Sequence, residues 1–89
     1  MTVPFKPGRK LIRRDLVVST AVRTVGYDKA HAVLQVEVID GSVYDYVGVP
    51  QHEYEMFMNA ASKGQYYNWV IKANYPECYQ VREGETLAH

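Results

Sequence analysis

The sequence predicts an α+β domain: a three-stranded antiparallel meander covered on one face by two short helices, with a short C-terminal strand as a further candidate element. Three observations carry the prediction. Residues 34–46, LQVEVIDGSVYDY, alternate Leu34, Val36 and Val38 with Gln35 and Glu37 and then turn at Asp40-Gly41, one of the strongest short hairpin signals. Beyond Pro50, Tyr54, Phe57, Met58 and Ala61 fall at i, i+3, i+4 and i+7, a single helical stripe. A second stripe, Tyr67, Val70, Ile71 and Asn74, follows before Pro76.

Taken in order, residues 1–16 read as a flexible basic N-terminal arm, 17–83 as the folded domain and 84–89 as a disordered tail. Pro4, Pro7 and Gly8 interrupt any period in the arm, and Lys6, Arg9, Lys10, Arg13 and Arg14 all precede the first acidic residue, Asp15. Such an arm serves either as a solvated lead or as a source of phosphate attraction. Residues 17–27 are rich in Val and Thr and close on Gly26, which favours a strand. Val22 and Val25 are three apart, so a bulge lies between them or one of them sits on the other face. Residues 28–32 then turn into the strand that starts near Val33.

The length of the hairpin turn decides which way Tyr44 and Tyr46 point, because a one-residue slip moves every side chain to the other face. A two-residue turn at Asp40-Gly41 pairs Val38 with Val43 and leaves both tyrosines with Gln35, Glu37 and Ile39 on a solvated face. A three-residue loop, Ile39-Asp40-Gly41, with Gly41 left-handed in a G1 bulge, pairs Val38 with Ser42, Val36 with Tyr44 and Leu34 with Tyr46. The second register is preferred. It stacks the tyrosines toward the core and keeps Asp45 outside, which avoids the cost of burying an unpaired charge.

Pro50 suits the first position of a helix, and Glu53 and Glu55 favour its early turns. That helix is expected to stop near Ser62-Lys63 with Gly64 as a left-handed cap, and a second to run over 65–74 until Pro76 disfavours the α region at Tyr75. Residues 78–82 can add a short edge strand.

Composition bounds the function. A chain of 89 residues makes one domain with a modest core and no deep cleft between lobes, so a non-catalytic binding module is the expectation. Eight tyrosines against two phenylalanines and one tryptophan suit half-buried packing and recognition surfaces alike. A lone Cys78, no signal-peptide pattern and no apolar run of membrane-spanning length point to a cytoplasmic protein with no membrane partner. His31, His52 and His89 are scattered and Cys78 has no paired cysteine, so neither metal nor cofactor is expected. No spacing supplies a base and an orienting acid for a nucleophile on Ser19 or Cys78.

Ser19, Gly26-Tyr27-Asp28, Leu34-Val36-Val38, Gly41, Tyr44-Asp45-Tyr46 and Val49-Pro50, followed by Tyr54, Ala60, Ser62, Gly64, Tyr67-Asn68, Ile71 and Tyr75, resemble in order and spacing the KTSC domain family. Its most specific element is Tyr-x-Tyr followed by Val-Pro. Tyr67 and Val38 stand where many members have Phe, exchanges a core tolerates. The family occurs at the C-terminus of some lysyl-tRNA synthetases and as free-standing small proteins. It has no established activity, and the resemblance points to RNA only through the association with a synthetase. The basic arm lies outside the matched span. In this light Ser19, Tyr27, Gly41, Tyr44, Tyr46, Pro50, Gly64, Tyr67 and Tyr75 read as structural family positions.

The candidate nucleic-acid contacts are therefore Arg9, Lys10, Arg13 and Arg14 in the arm with Tyr66, Asn68, Trp69 and Lys72 on the second helix. Tyr66, Tyr67 and Trp69 are too close in sequence for all to face one core, so aromatic surface is left over for stacking or docking. Asn68 and Lys72 share a face four residues apart, where they either grip a phosphate or leave Asn68 to tie down the loop at Gly64. Tyr44 and Tyr46 either stack on unpaired bases or pack in the core. The alternative partner to RNA is another protein docking on the aromatic patch.

Overall fold

The protein's computed structural model describes residues 3–6 and 8–82; the expected tail at 84–89 lies outside the described residues. Five strands form one antiparallel sheet in chain order: β1 (Asp15–Leu16), β2 (Val22–Asp28), β3 (Val33–Val38), β4 (Val43–Val47) and β5 (Cys78–Val81). Helix α1 (Gln51–Asn59) is followed by a second helical run made of α2 (Lys63–Tyr66), a π turn over Tyr67–Ile71 and α3 (Lys72–Asn74). The three-stranded expectation thus gives way to five strands, of which β5 is the candidate C-terminal edge strand and β1 was not expected. β1 and β5 are short edges without an alternation of their own, and they form because β2 and β4 offer them ladders.

The hairpin adopts the three-residue turn. Leu34 pairs with Tyr46 and Val36 with Tyr44, while the Val38 amide donates to the Ser42 carbonyl at 2.9 Å. Gly41 has φ +94, the left-handed conformation that the bulge requires. β2 carries the expected irregularity, with the register shifting between Val22 and Thr24. Gly26, expected to close the strand, instead lies within β2.

One face of the sheet carries the apolar core. Val22, Val25, Leu34, Val36 and Tyr46 pack under Phe57, Tyr67 and Ile71, with Val49 closing the end. The π turn contributes to this packing. Its wider winding, with the Lys72 amide donating to the Tyr67 carbonyl, brings Tyr67 and Ile71 onto the buried side together. Two helix boundaries differ from expectation. Pro50 sits one residue before α1 with ψ 156, and α1 ends at Asn59 where Ala60 turns extended. Gly64 is no cap but lies inside α2, where a Cβ would come within 3.3 Å of Ala21 Cβ, so its role is close helix-to-loop approach. Ser62 caps α2 by accepting from the Gln65 amide at 3.3 Å.

The N-terminal segment covers the opposite face, so the expectation of a free arm is corrected. The Pro4 carbonyl accepts from the Gln80 amide at 2.8 Å on the outer edge of β5. From Gly8 onward the chain crosses β4, β3 and β2 in turn and ends as β1 on the far edge of β2. Beneath this strap Gln35 is 1% exposed and Asp45 only 3%, although both were expected on a solvated face. Asp45 tolerates burial because Arg9 Nε reaches its Oδ2 at 2.6 Å and Gln35 Nε2 donates to its Oδ1 at 2.8 Å. Gly26 is needed here, since a Cβ would run into the Arg13 carbonyl and come within 2.9 Å of Arg14 Cγ.

Candidate nucleic-acid interface

The structure separates the two groups of candidate residues. Arg9, Lys10, Arg13 and Arg14 lie in the strap on one side of the sheet, and Tyr66, Asn68, Trp69 and Lys72 belong to the helices on the other. Of the four candidate cations in the strap, Arg9 and Arg14 serve internal contacts. Arg9 is held by Asp45, and its guanidinium and the Lys6 ammonium both stand over the Tyr79 ring, 5.3 and 4.8 Å from its centre. Arg14 donates to Thr24 Oγ1 at 2.8 Å and to Gln35 Oε1 at 2.6 Å. Lys10 is exposed, and Arg13 is an exposed cation 3.5 Å from Asp15, a surface pair of little energetic weight.

On the helix side the leftover aromatic is Trp69, 70% exposed. It lines a shallow cleft of about 260 Å³ with Ala60, Ser62, Gln65, Tyr66 and Val70, formed between the end of α1 and the second helical run. Asn68 and Lys72 are exposed on the same run, and the Lys72 ammonium lies 5.5 Å from the centre of the Tyr67 ring. Tyr66 lines the cleft but is also engaged inside the fold. Its ring stacks on Phe57 at 5.6 Å, and its hydroxyl donates to Glu53, which also accepts from the Tyr75 hydroxyl at 2.9 Å. Glu53 therefore ties both ends of the second helical run to α1.

The remaining family tyrosines are occupied inside the fold. Tyr46 and Tyr67 share a buried hydroxyl–hydroxyl bond of 2.7 Å, their rings edge to face. Tyr27 stacks on Tyr54 and donates to the Val49 carbonyl at 2.6 Å, and Tyr44 is half-buried against the core. Tyr44 and Tyr46 thus pack in the core and offer no open stacking platform. Desolvation pushes Tyr67 up to about 12 and Tyr46 further still, the latter also opposed by its bonded neighbour. Tyr66 and Tyr75 are each raised to about 12, first by desolvation and then by the Glu53 carboxylate.

The two nucleophile candidates are not activated. Burial raises the Cys78 thiol above its ordinary value, the reverse of a reactive cysteine. Ser19 Oγ accepts from the Ala21 and Val22 amides at 3.1 and 3.2 Å and so shapes the entry to β2. Among the described residues, no group of three His, Cys, Asp or Glu side chains could hold a metal ion, and no helix is long and apolar enough to cross a membrane. Sequence reasoning missed Gln35, Asp45 and Glu53. The one available signal was that Gln35 and Asp45 fall opposite each other in the preferred hairpin register.

Comparison with known proteins agrees with this architecture. The KTSC domain model matches residues 18–75, well over half of the chain. The chain belongs to the KTSC domain family. The crystal structure of a KTSC domain protein from Yersinia pestis superposes with a TM-score of 0.75 at 31% identity, covering 79% of this chain and 97% of that one. An uncharacterised protein of Stutzerimonas stutzeri is 29% identical over 70 residues, which are 79% of this chain and 99% of the relative. A lysine–tRNA ligase of Nostoc punctiforme is 36% identical over 56 residues, 63% of this chain and only 10% of the ligase. The strap and β5 lie outside the span matched by the KTSC model.

Proposed function

We propose that this KTSC domain is a non-catalytic binding module of the cytoplasm that takes single-stranded RNA on its second helical run. The observation that carries the reading is Trp69, a large aromatic left 70% exposed beside Asn68 and Lys72 while every neighbouring tyrosine is drawn into the fold. A base stacked on that ring gains about 1–3 kcal/mol, and the exposed Lys72 on the same helical run supplies a cation for phosphate. The likeness to part of a lysine–tRNA ligase supports RNA over other polyanions. Lys10 and Arg13, exposed on the opposite side, add only long-range attraction. A second reading, docking of a protein, is supported by the apolar walls of the cleft and by the exposed Met56 on α1.

The sole tryptophan makes the test direct. Titration with single-stranded RNA should quench Trp69 emission, with an affinity that falls as salt rises by roughly 0.7 log units per log unit of salt for each neutralised phosphate. Lys72→Ala should lower both the affinity and that slope. Unchanged emission at low salt with micromolar RNA excludes the RNA reading, and a protein partner whose binding shifts the same emission establishes the second.

A further inference from the structure

The cleft beside Trp69 is lined by no charged side chain. Its walls are Ala60, Ser62, Gln65, Tyr66, Trp69 and Val70, and Lys72, exposed on the same helical run, stands outside it. A phosphate therefore finds no counter-charge within the cleft. What the walls offer is an aromatic plane, apolar Ala60 and Val70 and neutral hydrogen-bonding groups, the set that suits a flat, uncharged ring with a polar edge. At about 260 Å³ the cleft is smaller than the roughly 300–1,000 Å³ of pockets that enclose a whole drug-sized ligand, so it has room for a single ring system.

Two of the polar groups on these walls are committed to the fold. The Tyr66 hydroxyl donates to Glu53 and its ring stacks on Phe57, which fixes that wall. Ser62 Oγ accepts from the main-chain amide of Gln65 at 3.3 Å. The side-chain amide of Gln65 is different. It makes no hydrogen bond among the described residues, while the bond to Ser62 anchors the main chain that carries it. Gln65 precedes Trp69 by four residues and both line the cleft, so a group that donates and accepts borders the plane on which a ring would stack.

We propose that this cleft selects adenine, Trp69 stacking the base and the Gln65 amide reading its edge, an inference that rests on the single-stranded RNA reading above. In adenine the N6 amino group lies between N1 and N7. A donor thus stands beside an acceptor on both the Watson–Crick and the Hoogsteen edge, and a glutamine amide pairs with either through two hydrogen bonds. The Hoogsteen edge of guanine shows only the acceptors O6 and N7, which leaves guanine one matching edge. Cytosine and uracil also match on one edge, and their single ring covers less of the indole. Gln65 is thereby a specificity-determining residue, whereas affinity for RNA in general comes from Trp69 and Lys72.

Single-stranded octamers of adenosine, cytidine and uridine carrying the same terminal fluorophore test this by anisotropy at one fixed salt concentration, which holds the phosphate contribution constant. The wild-type protein should bind the adenosine octamer at least about fivefold more tightly than the other two, the low end of what a bidentate base contact discriminates. Gln65→Leu, at an exposed position whose side chain makes no bond within the described fold, should bring the adenosine octamer down to the affinity of the uridine octamer and leave the latter unchanged. An octamer of purine riboside, which lacks the N6 amino group, should lose the same factor on the wild-type protein and none on Gln65→Leu. Equal affinity for the three RNAs overturns adenine selection and leaves the RNA reading standing. A preference for adenosine that survives Gln65→Leu overturns it too, because stacking alone then accounts for the preference. Binding to none of the three overturns both.

Discussion

The two faces of the sheet are buried by different chemistry. On the helix side Leu34, Val36 and Tyr46 meet Phe57, Tyr67 and Ile71, an interface of aliphatic and aromatic groups. On the strap side Gln35 and Asp45 are buried under Arg9, Arg14 and the main chain of Lys10 and Ile12, an interface of directional polar contacts. Apolar burial contributes about 1.5–3 kcal/mol for each large side chain and is indifferent to exact geometry. A buried hydrogen bond contributes about 0.5–1.5 kcal/mol net, but losing one partner strands the other. The helix side therefore supplies cohesion, whereas the strap side specifies which segment lies there and in which register.

The largest effect should come from the helix side. Phe57→Ala removes a fully buried ring and should cost about 3–5 kcal/mol by denaturant unfolding. A loss below about 1 kcal/mol would break the comparison, since such a small cost is expected only for surface positions. Arg9→Ala comes next. It leaves the Asp45 carboxylate without its charged partner and should cost roughly 1.5–3 kcal/mol, with the Ile12 amide exchanging fast while Leu34 and Val36 stay slow. Equal acceleration at all three would show that strap and body open as one unit. Gly26→Ala should free the strap in the same way without altering any charge, because its Cβ meets the Arg13 carbonyl.

A smaller effect belongs to the shared hydroxyls of the helix side. Tyr67→Phe leaves Tyr46 without its bonded partner and should cost about 1–2 kcal/mol. The pH dependence follows in sign. The folded-state value of Tyr67 is raised from 10.0 to about 12, so the folded protein holds that proton more tightly than the unfolded chain. Its contribution is fully present below pH 10 and lost as pH rises through 12, and Tyr67→Phe should make alkaline unfolding less steep. A slope that the substitution leaves unchanged would assign the alkaline transition to other groups. The smallest effect is Trp69→Ala, which should shift stability by no more than about 0.5 kcal/mol, since the ring is 70% exposed. A large loss of stability there would move Trp69 from the binding surface into the fold.

Much of the helix side was legible in the chain. The alternation at Leu34, Val36 and Val38, the helical stripe through Phe57 and the left-handed Gly41 are local signals, each set by a strand period, a helix period or a turn. That some aromatic surface is left over followed from counting, because Tyr66, Tyr67 and Trp69 cannot all turn to one core, but the fold decided that the exposed ring is Trp69. Gly64 was misread for a related reason. Glycine as a helix cap and glycine as a point of close approach look the same until Ala21 and Ser19 are brought against it.

What the sequence determined by itself was therefore the existence of the hairpin and of both helical runs, because residues two to four apart in the chain encode them. The preference for the hairpin register rests on the premise that Asp45 stays outside, and the structure keeps that register while burying Asp45. Tertiary structure alone decided the fate of the basic segment and of Asp45. Arg9 and Asp45 are 36 positions apart and form their pair only after the sheet exists, and the Gln35 amide that grips the strap is covered only once the strap has crossed it. A charge reads as solvated in any local window. It becomes buried when folding delivers the partner and hydrogen bonds that replace water, and no periodicity in the chain records that delivery.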